Sequence, residues 1–212
     1  MTKNPYKRAD HFTREAKKRG YPARSVFKLE EIDRRVRLLR AGQHVLDLGA
    51  APGSWSMYAA QKIAPAGKLL AIDLTPITAV LGAGAESAQG DALSLANDDL
   101  ARFAPYDVVL SDMAPATSGN RDADQARSFE LFMRALAIAD ALGVRPSASG
   151  PQPRPPGGAF VGKLFMSDDF TQARDALRAL FEEVKVIRPE GTRSSSFEVF
   201  LVGLRRKPPP PS

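Results

Sequence analysis

The sequence predicts an α/β fold, a mostly parallel seven-stranded sheet with helices on both faces. Three observations lead there. Apolar runs alternate with stretches of helical periodicity from His44 onward. Two of those runs, Tyr106–Asp112 and Gly158–Phe165, read as buried strands. The first run, His44–Leu48, ends in the small-residue turn Gly49-Ala-Ala-Pro-Gly53 and hands over directly to a helix.

The elements follow in order. Asp10 to Gly20 is strongly charged and reads as a short helix or as an arm that orders on binding, and Tyr21-Pro22 breaks it. From Ala23 to Leu39, the residues Val26, Leu29, Ile32 and Val36 recur at helical spacing, so one face packs while Lys and Arg decorate the other. Trp55 to Ile63 is the next helix, Gly67 a turn, and Lys68 to Leu74 the second strand. Glu86–Asp91 is a weak third strand, followed by a polar helical stretch to about Phe103. Tyr106–Asp112 is the fourth strand and runs into the small-residue loop Met113–Gly119.

A long helix spans Asp124 to Leu142, with Leu131, Ala135, Ile138 and Leu142 in phase. Arg145–Pro156 is a Pro-rich insertion expected to lack packed structure. Gly158–Phe165, a helix over Asp168–Phe181, and strands over Val184–Arg188 and Phe197–Leu204 complete the domain. The organisation expected is therefore a basic arm over 1–22, a domain over 23–204, and a disordered tail over 205–212.

The glycine turn points to a ligand. Gly49, Ala50, Ala51 and Gly53 carry little or no side chain, so backbone N–H groups at a helix N-terminus can approach a bound molecule. About twenty residues further on, the second strand ends in Asp73, an offset suited to gripping two ribose hydroxyls. The spacing is not G-x-G-x-x-G, and Pro52 removes a donor that a pyrophosphate would want. An adenosyl ligand without phosphates, such as S-adenosylmethionine, fits better than a dinucleotide. A plain strand-to-helix turn is the alternative.

Composition excludes several classes. Cys is absent, which removes disulfides, thiolate metal sites and a cysteine nucleophile. Only His11 and His44 supply imidazole, so no metal site is expected. No run is long and apolar enough to span a bilayer, and the basic, polar start does not resemble a secretory signal, so a cytoplasmic protein without a membrane partner is expected. Residues 1–40 hold thirteen Lys or Arg against five Asp or Glu, while the whole chain carries +6. Such a polycation on a near-neutral body suits a phosphate backbone, although a solvated helix is the ordinary explanation of a charge run.

Six blocks then resemble one family in order along nearly the whole chain. They are Ser25–Ile32, Val45–Ser56, Gln89–Asp91, Ser111–Pro115, Val161–Phe165 and Ser196–Phe200, and they resemble the RrmJ/FtsJ family of ribosomal RNA ribose 2′-O-methyltransferases. The resemblance implies a Rossmann-like S-adenosylmethionine-dependent methyltransferase fold. It implies a catalytic tetrad on Lys28, Asp112, Lys163 and Glu198, and cofactor contacts from Gly53, Trp55, Asp73, Asp91 and Asp112, with simple core packing the alternative for Trp55. In that reading Lys163 is the base that takes the ribose proton. Ser54 stands where the family pattern has a second glycine, and the 145–156 insertion is longer than the usual turn.

The substrate implied is a uridine of 23S rRNA in the A-loop of the assembled large ribosomal subunit, and a monomer is the simplest expectation. The competing readings are a 2′-O-methyltransferase for tRNA or another RNA, a methyltransferase acting on a base, protein or metabolite, and a non-catalytic RNA-binding assembly factor. The complete tetrad argues against the last, because a pure binder has no use for paired lysines and carboxylates around a methyl donor.

Overall fold

Strand β1 (His44–Leu48) lies mid-sheet because its apolar residues find partners on both faces. In the computed structural model, which describes residues 5–146, 157–190, 192 and 196–208, Val45 points into one core and Leu46 and Leu48 into the other. Parallel partners flank it: β2 (Lys68–Asp73) on one side and β4 (Val108–Ser111) on the other. Outward from β2 lies β3 (Ala85–Gln89), and outward from β4 lies β5 (Ala159–Phe165). The last strand, β7 (Glu198–Arg206), inserts antiparallel between β5 and β6 (Phe181–Ile187), giving the order β3-β2-β1-β4-β5-β7-β6. The sheet is seven-stranded and mostly parallel.

One face is covered by α1 (Pro5–Lys18), α2 (Val26–Val36) and α3 (Ser54–Ile63). Val26, Leu29 and Ile32 are buried on α2, and each large side chain contributes about 1.5–3 kcal/mol. The other face is covered by the single turn α4 (Asn97–Leu100), by α5 (Arg121–Leu142) and by α6 (Phe170–Leu180). Asn120 caps α5, its side-chain oxygen accepting from the N–H groups of Asp122 and Ala123 at 3.1 and 3.2 Å. Edge strand β3 is polar and half-exposed to exposed, which blunts pairing with another chain.

Several boundaries differ from the sequence expectation for physical reasons. The stretch leading to Phe103 makes only one helical turn, since Leu100 alone of α4 is buried and the Tyr106 hydroxyl donates to the Leu100 carbonyl at 2.7 Å. The basic arm is not a separate unit. Ala16 is buried in the core, and the ring of Phe12 lies 5.4 Å from that of Phe27 on α2.

The expected tail begins too early at 205, because β7 runs to Arg206. The guanidinium of Arg206 is buried, pairs with Asp140 and donates to the Leu180 carbonyl, so a residue that reads as tail is held as sheet. Residues 147–156, the main part of the Pro-rich insertion, and 209–212 at the end of the tail lie outside the described residues.

Candidate active site

Two lysine–carboxylate pairs stand on the α1–α3 face at the carboxyl end of β4 and β5. Alternation along a strand brings them there. Val161 and Lys163 share a face of β5, Glu198 and Phe200 share the same face of β7, and the antiparallel register sets Lys163 opposite Phe200 and Phe165 opposite Glu198. Lys163 and Glu198 are thus diagonal neighbours. Ser111 lies beside Gly162 in the parallel β4–β5 pair, which brings the following residue, Asp112, next to Lys163.

Lys163 is buried, and its Nζ donates to Asp112 twice, to the backbone carbonyl and to Oδ1 at 2.9 Å. The second pair comes from opposite ends of the chain: Lys28 of α2 with Glu198 of β7, their side chains 13% and 12% exposed. The buried face of α2 directs Lys28 inward, and the Trp55 indole N–H donates to the Ser25 carbonyl at 2.9 Å, fixing the start of that helix. Burial alone would push the Glu198 carboxyl up, but the charge and hydrogen bond of Lys28, with the charge of Lys163 behind them, hold it below its usual value. Glu198 is an anion at neutral pH.

Beside the pairs is a cavity of about 260 Å³ lined by Gly49, Asp73, Gly90, Asp91, Asp112 and Met113 among others. Gly49 has φ +75°, and a Cβ there would lie 2.7 Å from the Met113 side chain, so the close approach of the turn to the next loop needs glycine. Asp73 accepts from the Ala51 N–H through one oxygen, and from the Thr75 N–H and hydroxyl through the other, which fixes its orientation at the end of β2. Three carboxylates on the lining repel a pyrophosphate. They suit ribose hydroxyls, amino groups and a sulfonium, which is the chemistry of S-adenosylmethionine.

The structure brings together Lys28, Asp112, Lys163 and Glu198, and places Asp73, Asp91 and Asp112 on one cavity. It does not bring Gly53 or Trp55 to that lining. Trp55 is a core residue, 2% exposed, its ring 5.6 Å from that of Phe200, so it packs directly behind the two lysine–carboxylate pairs. Gly53 starts α3 with φ +112°, and a Cβ there would meet Ala79 at 2.6 Å; its role is to let the loop around Ala79 close over the turn. Ser54 is buried and accepts from the Ala23 N–H at 2.8 Å, tying the approach to α2 onto the start of α3.

Asp47 was not singled out by sequence reasoning. It lies on β1 with no exposure, accepts from the Ser56 hydroxyl at 2.6 Å through Oδ2, and its Oδ1 has no partner among the described residues. A lone acid inside an apolar strand was the available signal.

Residues 21–206 match the model of the FtsJ-like methyltransferase family. The chain belongs to that family. FtsJ-like relatives include a protein of Sorangium cellulosum named ribosomal RNA large subunit methyltransferase E, 72% identical over 97% of this chain and 92% of its own. A protein of the same name from Myxococcus xanthus is 43% identical over 97% of this chain and 92% of its own.

Among solved structures, a protein from Plasmodium falciparum described as a ribosomal RNA methyltransferase superposes with a TM-score of 0.72 at 21% identity, covering 88% of this chain and 98% of that one. Aeropyrum pernix fibrillarin with bound S-adenosyl-L-methionine superposes with a TM-score of 0.54 at 14% identity, covering 78% and 67%. The fold is the Rossmann-like methyltransferase fold. As an FtsJ-like enzyme the protein is a methyltransferase, and S-adenosylmethionine is its methyl donor.

Asp73 supplies the first test of the cavity. Replacing it with Asn keeps its shape but removes the charge that strengthens bonds to ribose hydroxyls, and is expected to weaken S-adenosylmethionine binding about tenfold. Calorimetric titration should show the same loss for S-adenosylhomocysteine, which shares the ribose. Unchanged affinity for both would remove Asp73 from the site.

Proposed function

We propose that this protein methylates the 2′-oxygen of a uridine ribose in large-subunit ribosomal RNA, within the A-loop of the assembled subunit. The ribosomal assignment is supported by the names of the relatives, and the nucleotide by the family resemblance. The ribose assignment rests on one observation, the double donation of Lys163 to Asp112 at the edge of the cofactor cavity.

Lys163 can act as a base only after its ammonium has released one proton to solvent, which leaves an amine with two hydrogens and one lone pair. Donating both hydrogens to Asp112 leaves the lone pair as the acceptor, so a hydroxyl beside Nζ can give up its proton there. S-adenosylmethionine, when bound, supplies an electrophilic methyl group on a sulfonium. Asp112 holds Lys163, and Lys28, held by Glu198, adds positive charge near the oxygen as its proton leaves. Much of the rate comes from placing that oxygen in line with the methyl.

The exposed Lys17, Lys18, Arg34 and Arg35 of α1 and α2 lie on helices of the same face as the tetrad and suit a phosphate backbone. No described helix is long and apolar enough to cross a membrane. We place the protein in the cytoplasm, acting as a monomer on the assembled subunit.

The test is transfer of labelled methyl from S-adenosylmethionine to undermethylated large subunits, followed by mapping through resistance to alkaline cleavage. A single protected ribose in the A-loop is expected. Label on a base or on protein would overturn the reading.

A further inference from the structure

Phe197 sits one residue before Glu198, on the opposite face of the chain. On that face the next residues of β7, Val199 and Leu201, are buried, yet the Phe197 ring is 51% exposed. The guanidinium of Arg121, the first residue of α5, lies 4.2 Å from the ring centroid. Arg121 has no carboxylate partner among the described residues. Met166, itself 40% exposed, adjoins them, its N–H donating to the Phe197 carbonyl at 2.9 Å. Its own carbonyl accepts from the Gln125 side chain, so the platform is braced from α5.

We propose that Phe197 and Arg121 form a stacking platform for an unpaired base of the substrate RNA, the base of a nucleotide next to the one whose ribose reaches the tetrad. This rests on the reading of the substrate as RNA. The ring and the guanidinium are both flat, π-faced groups, on which bases of single-stranded RNA stack irrespective of sequence. The free cation of Arg121 adds attraction for the phosphodiester beside that base.

The platform is also continuous with the chemistry. Phe197 immediately precedes Glu198 of the tetrad, so the two stand at the same edge of the sheet, one on each face. Asp122 and Asp168 border the groove beside Met166 and disfavour a phosphate inside it, which leaves the flat ring as the attractive element. A ribose held at Lys163 would thus be positioned through its neighbour as well as through its own contacts.

The test is equilibrium binding of the full-length protein to undermethylated large subunits, which requires no methyl transfer, with KM, kcat, Tm and S-adenosylmethionine affinity measured in parallel. Phe197→Ala and Phe197→Leu are expected to weaken subunit binding and raise KM about tenfold, while Phe197→Trp keeps both near the parent. Cofactor affinity should be unchanged in all three.

A Leu variant that binds like the parent, a Trp variant as weak as Ala, or losses that follow a lowered Tm would overturn the platform and assign Phe197 to packing. Failure of the parent protein itself to bind subunits would overturn the RNA reading before any variant is compared. The two failures are therefore distinguishable.

Discussion

Replacing Lys163 with Met is expected to slow methyl transfer by about 10²–10⁴ while S-adenosylmethionine still binds, since a positioned general base contributes on that order. Met fills most of the lysine volume, so the buried strand end is preserved, and Asp112 keeps its place through its N–H to the Leu48 carbonyl. Lys163→Arg separates the two roles the side chain can have. Arginine keeps the charge and the donors to Asp112 but does not give up its proton in proteins. If Lys163 accepts the ribose proton, the Arg variant fails as badly as Met. If it only orients, Arg retains much of the rate. Single-turnover transfer to undermethylated subunits, with cofactor affinity measured separately, decides between them. An active Arg variant would remove the base from Lys163.

The second large effect is on stability, at Asp47. Burial pushes its carboxyl up to about 7, the Ser56 hydrogen bond opposes this, and the charges of Asp112 and Asp73 add to it. In the unfolded chain the group titrates near ~3.9. Between about pH 4 and pH 7 the folded protein therefore holds a proton that the unfolded chain has released. Stability from this group is fully present below that window, falls as pH rises through it, and is level above. At about 1.4 kcal/mol per unit, the loss across the window is at most about 4 kcal/mol.

Asp47→Asn removes the titration and keeps an acceptor for Ser56. It is expected to be more stable than the parent at pH 8 by about 2–4 kcal/mol, and to converge with it near pH 4. Urea unfolding of both proteins across that range gives the difference directly, in which other carboxylates cancel. Two parallel curves would mean that Asp47 does not titrate in the window.

Much of this architecture was legible in the chain because strands buried on both faces announce themselves. Val45–Leu48 and Phe160–Leu164 are each interrupted by one charged residue, and a charge inside such a run needs a reason. Lys163 has one in Asp112. Asp47 has a weaker one, and its burial depends on α3 lying over it, which no local pattern reports.

Trp55 is ambiguous in a different way. An aromatic residue after a glycine turn is equally consistent with a ligand contact and with core packing, and the packing on Phe200, from the far end of the chain, is a contact that no local pattern reports. Arg205 and Arg206 were hidden by composition, since two arginines before a run of prolines read as tail until Asp140 and the Leu180 carbonyl are seen to hold one of them. The sequence pattern starts the last strand at Phe197; the ladder instead begins at Glu198 and leaves the ring at the rim.

The insertion of β7 between β5 and β6 also orders events during synthesis. The walls of the cavity proposed to hold the methyl donor come from β1 to β4, the loops after them and α5, all of which leave the ribosome before β6 and β7. β6 has no neighbour in the sheet except β7, so it waits without a partner until the last strand arrives to pair on both sides. Long-range pairing of this kind is slow relative to local structure. The same arrival delivers Glu198 to a lysine encoded 170 residues upstream. A nascent chain would therefore possess the makings of a methyl-donor pocket well before it possesses a complete tetrad, and competence for transfer would be withheld until nearly the whole domain had been made.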